Sequence, residues 1–125
     1  MSGLLLDTHA LLWWVTDDDA ISPTARAAIA DPTNAPYVST VTLWELAIKQ
    51  RLGKIDVPAR LPQLIVEQGF LWLEVYPEHA WGVASLPDHH RDPFDRLIVS
   101  QAISEGLAIV SADRMLAGYG VEVVW

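Results

Sequence analysis

Five short apolar runs alternate with stretches of helical spacing, and that alternation constrains the fold of this chain more than any other feature. The runs are Leu4-Leu5-Leu6, Tyr37-Val38-Ser39, Leu71 to Val75, Leu107 to Val110 and Val121 to Val124. Between them the sequence predicts helices over Ala10 to Val15, from Ser22-Pro23 to Asp31-Pro32, over Thr40 to Leu52, Arg60 to Gln68, Pro77 to Leu86, and Pro93 to Glu105. Strands separated by helices fold as an α/β sandwich with a mostly parallel sheet, because parallel neighbours need a crossover between them. The 125 residues contain no repeat, linker or low-complexity tract, so the expectation is a single domain over residues 1–125.

The segment from His90 to Ala102 carries the clearest local signals. Asp92 is a good N-cap, and Pro93 suits the first helical position, where its missing N–H goes unpaired anyway. Phe94, Leu97, Ile98 and Ala102 recur at helical spacing, and Gly106 marks the end. Asp95 is the anomaly. It lies three residues before Ile98 and seven before Ala102, so it borders the apolar face. A carboxylate there must be paired, protonated or bound to a cation.

The balance of residues bounds the function. At 51% hydrophobic and 19% charged, the chain is globular, not disordered. It has no cysteine, which excludes disulfides, thiolate chemistry and zinc–cysteine sites. Met1-Ser2-Gly3-Leu4 has no basic leader character, and no apolar run is long enough to span a bilayer. The expectation is a soluble, cytoplasmic protein with no membrane partner. The formal net charge of −8 argues against a nucleic-acid partner when taken alone. Clustered acids that bind a divalent cation reverse the local charge, and a basic partner protein could complement an acidic surface.

In open α/β sheets, ligands bind beyond the carboxyl ends of the strands. Asp7 follows the first run and Asp113 follows the fourth. Glu45 and Asp95 sit early in helices, and both border apolar stripes. Each acid also has an ordinary structural reading. Asp7 and Asp113 can cap helices, and Thr42-Leu43-Trp44-Glu45 matches a capping box, as does Asp92-Pro93-Phe94-Asp95. Their joint placement at strand ends and helix starts favours a site. Four acids at one sheet edge repel one another unless a cation is present. Oxygen-only ligands favour Mg²⁺ or Mn²⁺, and such an ion assists hydrolysis of a phosphate ester.

Asp88-His89-His90 reads as an exposed loop and not as a transition-metal site. His9 either contacts substrate or fills the first turn. Trp13, Trp14 and Trp44 serve either core packing or a partner-facing surface.

Asp7-Thr8-His9, Trp44-Glu45-Leu46-Ala47-Ile48-Lys49, Asp92-Pro93-Phe94-Asp95-Arg96 and Ser111-Ala112-Asp113 together resemble the ordered acidic motifs of PIN-domain nucleases. The Asp-Pro-Phe-Asp-Arg string is most similar to VapC-like toxins of type II toxin–antitoxin systems. The resemblance spans Asp7 to Asp113 and implies a parallel sheet flanked by helices. It also implies an endoribonuclease dependent on Mg²⁺ or Mn²⁺, acting on single-stranded or loop regions of structured RNA. By that resemblance Asp7, Glu45, Asp95 and Asp113 form the catalytic, metal-holding quartet. Asp7 and Asp95 would be the main direct ligands, while Glu45 and Asp113 ligate or orient waters and a second ion. Thr8 and Ser111 would support the cage by hydrogen bonds. Lys49, Arg51, Lys54, Arg91, Arg96 and Arg114 are the cations open to RNA contacts, although the first three also suit a helix C-terminus. A cognate antitoxin and a homodimer are implied as partners.

Three other functions compete. A receiver-type phosphoacceptor domain needs an acceptor Asp after a middle strand and a Lys after a late one, yet Tyr76-Pro77 follows Val75 and no Lys follows Val110. A haloacid-dehalogenase-like phosphatase needs a second acid two residues after the first, where this chain has His9. A catalytically silent PIN-like protein-binding module is the nearest alternative, and the presence of all four acids argues against it.

Overall fold

The computed structural model describes residues 2–125. Five strands, β1 (Ser2–Leu6), β2 (Asn34–Ser39), β3 (Leu71–Leu73), β4 (Ala108–Val110) and β5 (Val123–Val124), form one sheet in the order β3-β2-β1-β4-β5. Every strand pairing among the described residues is parallel. The helices are α1 (Thr8–Val15), α2 (Pro23–Ala30), α3 (Thr40–Arg51), α4 (Leu61–Glu67), α5 (Pro77–Gly82) and α6 (Pro93–Glu105). Short 3₁₀ segments follow α5 at Val83–Ser85 and precede β5 at Arg114–Tyr119.

The sheet is buried on both faces, so its strands read as continuous apolar runs instead of alternating ones. Leu4, Leu6 and Val110 point to one face with Leu11, Ile29, Leu46 and Ile65. Leu5 and Ile109 point to the other, against Ile98, Val99 and Ala102 of α6. Full burial of a side chain such as Ile98 or Val99 contributes roughly 1.5–3 kcal/mol. The apolar stripe that marks α6 in the sequence is therefore what clamps it to the sheet.

Helix ends follow their sequence signals. Asp92 Oδ1 accepts from the backbone N–H groups of Phe94 (2.8 Å) and Asp95 (3.1 Å), and Gly106 closes α6 at φ 67°. Several boundaries differ from expectation, among them α1, which begins already at Thr8, and β5, which is only Val123–Val124. β2 begins at Asn34 and includes Pro36, which pairs with Leu4. β3 starts only opposite Tyr37, so β2 is an edge on that side at Pro36, where a missing N–H costs least. β3 stops at Leu73, and the expected helix over Pro77 to Leu86 tightens into a 3₁₀ turn at Val83.

The order of strands matters most for function. The chain leaves β1 toward β2 and β3, then returns to the other side of β1 with β4. The carboxyl ends of β1 and β4 therefore flank the point where the winding reverses. Among the described residues, no helix is long and apolar enough to cross a membrane.

Candidate active site

Asp7 leaves β1 at this reversal point and is 9% exposed. Its Oδ1 accepts from the Ala10 N–H at 2.9 Å, so Asp7 does cap α1. Burial raises its pKa above the usual carboxylate range, and Asp113 adds to the rise. The Ser111 hydroxyl, the Ala10 N–H and His9 oppose it.

Asp113 follows β4 and caps the 3₁₀ segment through Oδ1, which accepts from the Met115 N–H at 3.0 Å. Its own N–H donates to the Ser111 hydroxyl at 2.9 Å. Ser111 is fully buried and touches both acids, tying the ends of β1 and β4 together.

Glu45 is buried on α3, and its two oxygens are held from opposite sides. Thr8 Oγ1 donates to Oε1 at 2.5 Å, and Lys49 Nζ donates to Oε2 at 2.5 Å. The capping-box reading of Thr42 to Glu45 is corrected by this geometry. α3 starts three residues earlier than that box requires, with Ser39 as its cap, and Glu45 is engaged elsewhere. Lys49 is correspondingly tied to an acid, and its pKa is raised chiefly by that hydrogen bond.

Asp95 lies in the first turn of α6 and is partly buried. Its pKa is pushed up to about 6, first by burial and then by the charges of Asp92, Asp7 and Glu45, with His90 opposing. These couplings bring Asp7, Glu45, Asp95 and Asp113 into one electrostatic neighbourhood. Four segments far apart in sequence supply it. The donor set is oxygen-rich, partly desolvated and short of cations, which fits a hard divalent ion. Among the described residues, no group of three or more His, Asp or Glu is already set to hold a metal ion. The fit therefore rests on donor chemistry and shared charge.

Arg96 is committed to the loop before α6. Nη1 donates to the carbonyls of Pro87 (2.9 Å) and His90 (3.3 Å), and Nη2 to those of Val83 (3.2 Å) and Leu86 (3.4 Å). Little of its donor capacity remains for a phosphate. Arg51, Lys54, Arg91 and Arg114 are exposed, and the last two immediately neighbour Asp92 and Asp113.

Two histidines had no clear signal in the sequence. His90 is partly buried, and its Nε2 lies 3.1 Å from Asp113 Oδ2 and 3.4 Å from Asp95 Oδ2. His79 is fully buried between α5 and α6, with Nε2 3.1 Å from Glu105 Oε1. By contrast His89 is exposed and stands edge-on to Tyr119.

Away from the acids, a groove of about 520 Å³ is lined by Leu43, Leu46, Ala47, Val57, Leu61 and Pro62, among others. Trp44 and Trp81 are exposed, Trp81 at 83%.

Comparison with known proteins agrees with this arrangement. The PIN domain family model matches residues 4–121. Ribonuclease VapC22 of Mycobacterium tuberculosis is 32% identical over 123 residues, covering 95% of this chain and 93% of that protein. Among solved structures, the fold is similar to that of VapBC2 from Rickettsia felis bound to a DNA fragment of its promoter, with TM-score 0.72 and 14% identity over 97% of this chain and 96% of that one. It is also similar to DNA-bound VapBC from Salmonella typhimurium, with TM-score 0.71 and 19% identity over 98% and 97%.

Proposed function

Because this chain belongs to the PIN-domain family, in its VapC-like branch, we propose that it is an endoribonuclease toxin that hydrolyses RNA phosphodiester bonds with Mg²⁺ or Mn²⁺ and is neutralised by a cognate antitoxin. The observation that carries this reading is the coupling of Asp7, Glu45, Asp95 and Asp113 at the point where the sheet reverses its winding. We read the whole chain as one domain, working in the cytoplasm.

Asp7 and Asp95 are the proposed direct ligands, with Glu45 and Asp113 holding waters or a second ion. The chemistry that a divalent ion held by these acids would supply is polarisation of a phosphoryl oxygen and activation of water as nucleophile. The chain's own residues prepare that chemistry. Thr8 and Lys49 fix the orientation of Glu45, and Ser111 orients Asp7 against Asp113. Lys49 also neutralises one of the acids, which lowers the repulsion an incoming phosphate meets. Arg91 and Arg114 are the exposed cations beside the site and would meet RNA phosphates on either side of it. The similarity to VapC-like ribonucleases supports single-stranded or looped regions of structured RNA as the substrate class.

The test is cleavage of a structured-RNA pool by purified protein with Mn²⁺ or Mg²⁺, with chelator, and with Asp7→Asn and Asp95→Asn in parallel. Cleavage that needs metal and falls more than about 100-fold in both variants is the expected result. Cleavage that survives chelator or either substitution overturns the assignment. The similarity to VapBC assemblies supports an antitoxin partner, and the apolar groove beside α3 suits an apolar antitoxin segment. Ala47→Arg would then weaken antitoxin capture without reducing cleavage. Exposed Trp81 offers surface for a homodimer, which sedimentation at rising concentration tests.

A further inference from the structure

The loop from Pro87 to Arg91 separates α5 from α6 and contributes one side chain to the acidic neighbourhood. We infer that His90 is a positioning residue for the proposed nuclease site, its Nε2–H donating to Asp113 after β4 and standing close beside Asp95 on α6. The inference rests on the proposed function and adds a residue that none of the acidic motifs contains.

The geometry fixes which nitrogen carries the proton. His90 Nδ1 accepts from the Asp92 N–H at 3.2 Å. A neutral imidazole has one donor and one acceptor nitrogen, so Nε2 is left as the donor. That donor faces two carboxylate oxygens, Asp113 Oδ2 at 3.1 Å and Asp95 Oδ2 at 3.4 Å. With Nδ1 occupied by a backbone donor, the ring is oriented to give its hydrogen bond to Asp113, with Asp95 alongside, and not to ligate a cation.

The ring is held from behind as well. Arg96 donates to the His90 carbonyl and to those of Pro87, Leu86 and Val83, which fixes the loop against α6. On the opposite side, Asp113 Oδ1 takes the Met115 N–H. Asp113 thus has one donor on each oxygen, leaving the remaining lone pairs aimed in a set direction. Hydrogen bonds of this kind orient ligating carboxylates and support metal affinity. Sequence gives no hint of the role, because an Asp-His-His loop looks solvated until β4 brings Asp113 beside it.

The experiment compares wild type, His90→Ala and His90→Gln. Glutamine places an amide donor near the position of Nε2 and should rescue what alanine loses. Mn²⁺ affinity is measured by calorimetry, and the His90 tautomer by ¹⁵N chemical shifts in metal-free protein. The expected result is the Nε2–H tautomer, a 10- to 100-fold loss of Mn²⁺ affinity in His90→Ala, and recovery to within a few-fold in His90→Gln. RNA turnover should fall in kcat with KM nearly unchanged. Unchanged or tighter Mn²⁺ binding in His90→Ala overturns the inference, as does the Nδ1–H tautomer. If wild type binds no Mn²⁺, the metal-dependent function fails by itself, and the tautomer alone then decides whether His90 donates to Asp113.

Discussion

Thr8 Oγ1 donates to Glu45 Oε1 across 37 residues of sequence, joining the first turn of α1 to the middle of α3. Both groups are buried, so the bond cannot be replaced cheaply by water. Thr8→Val keeps the shape and removes the donor. It should destabilise the fold by about 1.5–3 kcal/mol in chemical denaturation, because the partner is a charged carboxylate. Thr8→Ser should recover most of the loss.

Asp95 predicts a pH dependence of the metal-free fold. Its pKa rises from 3.8 to about 6 on folding. Between those values the folded state binds more protons than the unfolded state, so stability falls as pH rises through that window. Buried Asp7 is shifted in the same direction and adds to the slope. The Asp95 share is on the order of 1 kcal/mol once solvent screening is allowed for. Thermal denaturation of metal-free protein across this range should show the decline, and Asp95→Asn should flatten it. Saturating Mn²⁺ should reverse it, because the ion binds the ionised form.

Ser111 predicts a loss confined to the site. Its hydroxyl touches Asp7 and accepts the Asp113 N–H. Ser111→Ala removes the foremost of the groups that offset the effect of burial on Asp7, so the Asp7 carboxyl should protonate still more readily. Mn²⁺ affinity should drop about 10-fold or more, with the sheet intact by circular dichroism.

Arg96 predicts a different outcome, loosening of a loop. Arg96→Ala should cost about 2–3 kcal/mol, since charge-assisted bonds to four carbonyls are lost and only partly replaced by water. Arg96→Lys should rescue little, because one ammonium cannot reach carbonyls arranged around a planar fork. Amide exchange should quicken across Leu86 to Asp92 in both variants.

The parts of this fold that sequence made legible are those fixed by local chemistry. Asp92-Pro93 and Gly106 bound α6 at the expected residues, because a cap, a preset φ and a left-handed glycine act within one turn. Gly53 and Gly69 likewise adopt positive φ beyond α3 and α4. The extension of β2 through Pro36 was hidden, since it depends on where β3 begins. The same division holds at the site. Asp7, Glu45, Asp95 and Asp113 stand out as acids at strand ends or on apolar stripes, features visible one segment at a time. His90 and the commitment of Arg96 to carbonyls arise only when distant segments meet, and nothing in Asp88-His89-His90 distinguishes the second histidine from the first.

The strand order carries a consequence for how the protein comes into being. β4 lies beside β1, yet it is synthesised after β2 and β3 and the helices from α1 to α6. Until it docks, Asp7 lacks Ser111, and Asp95 lacks both Asp113 and the anchored side of His90. A nascent chain still held by the ribosome therefore carries three of the acids without a finished site. For the proposed ribonuclease the delay matters, because it is assembled on a particle made largely of RNA, and the topology withholds a finished site until β4 has emerged and docked.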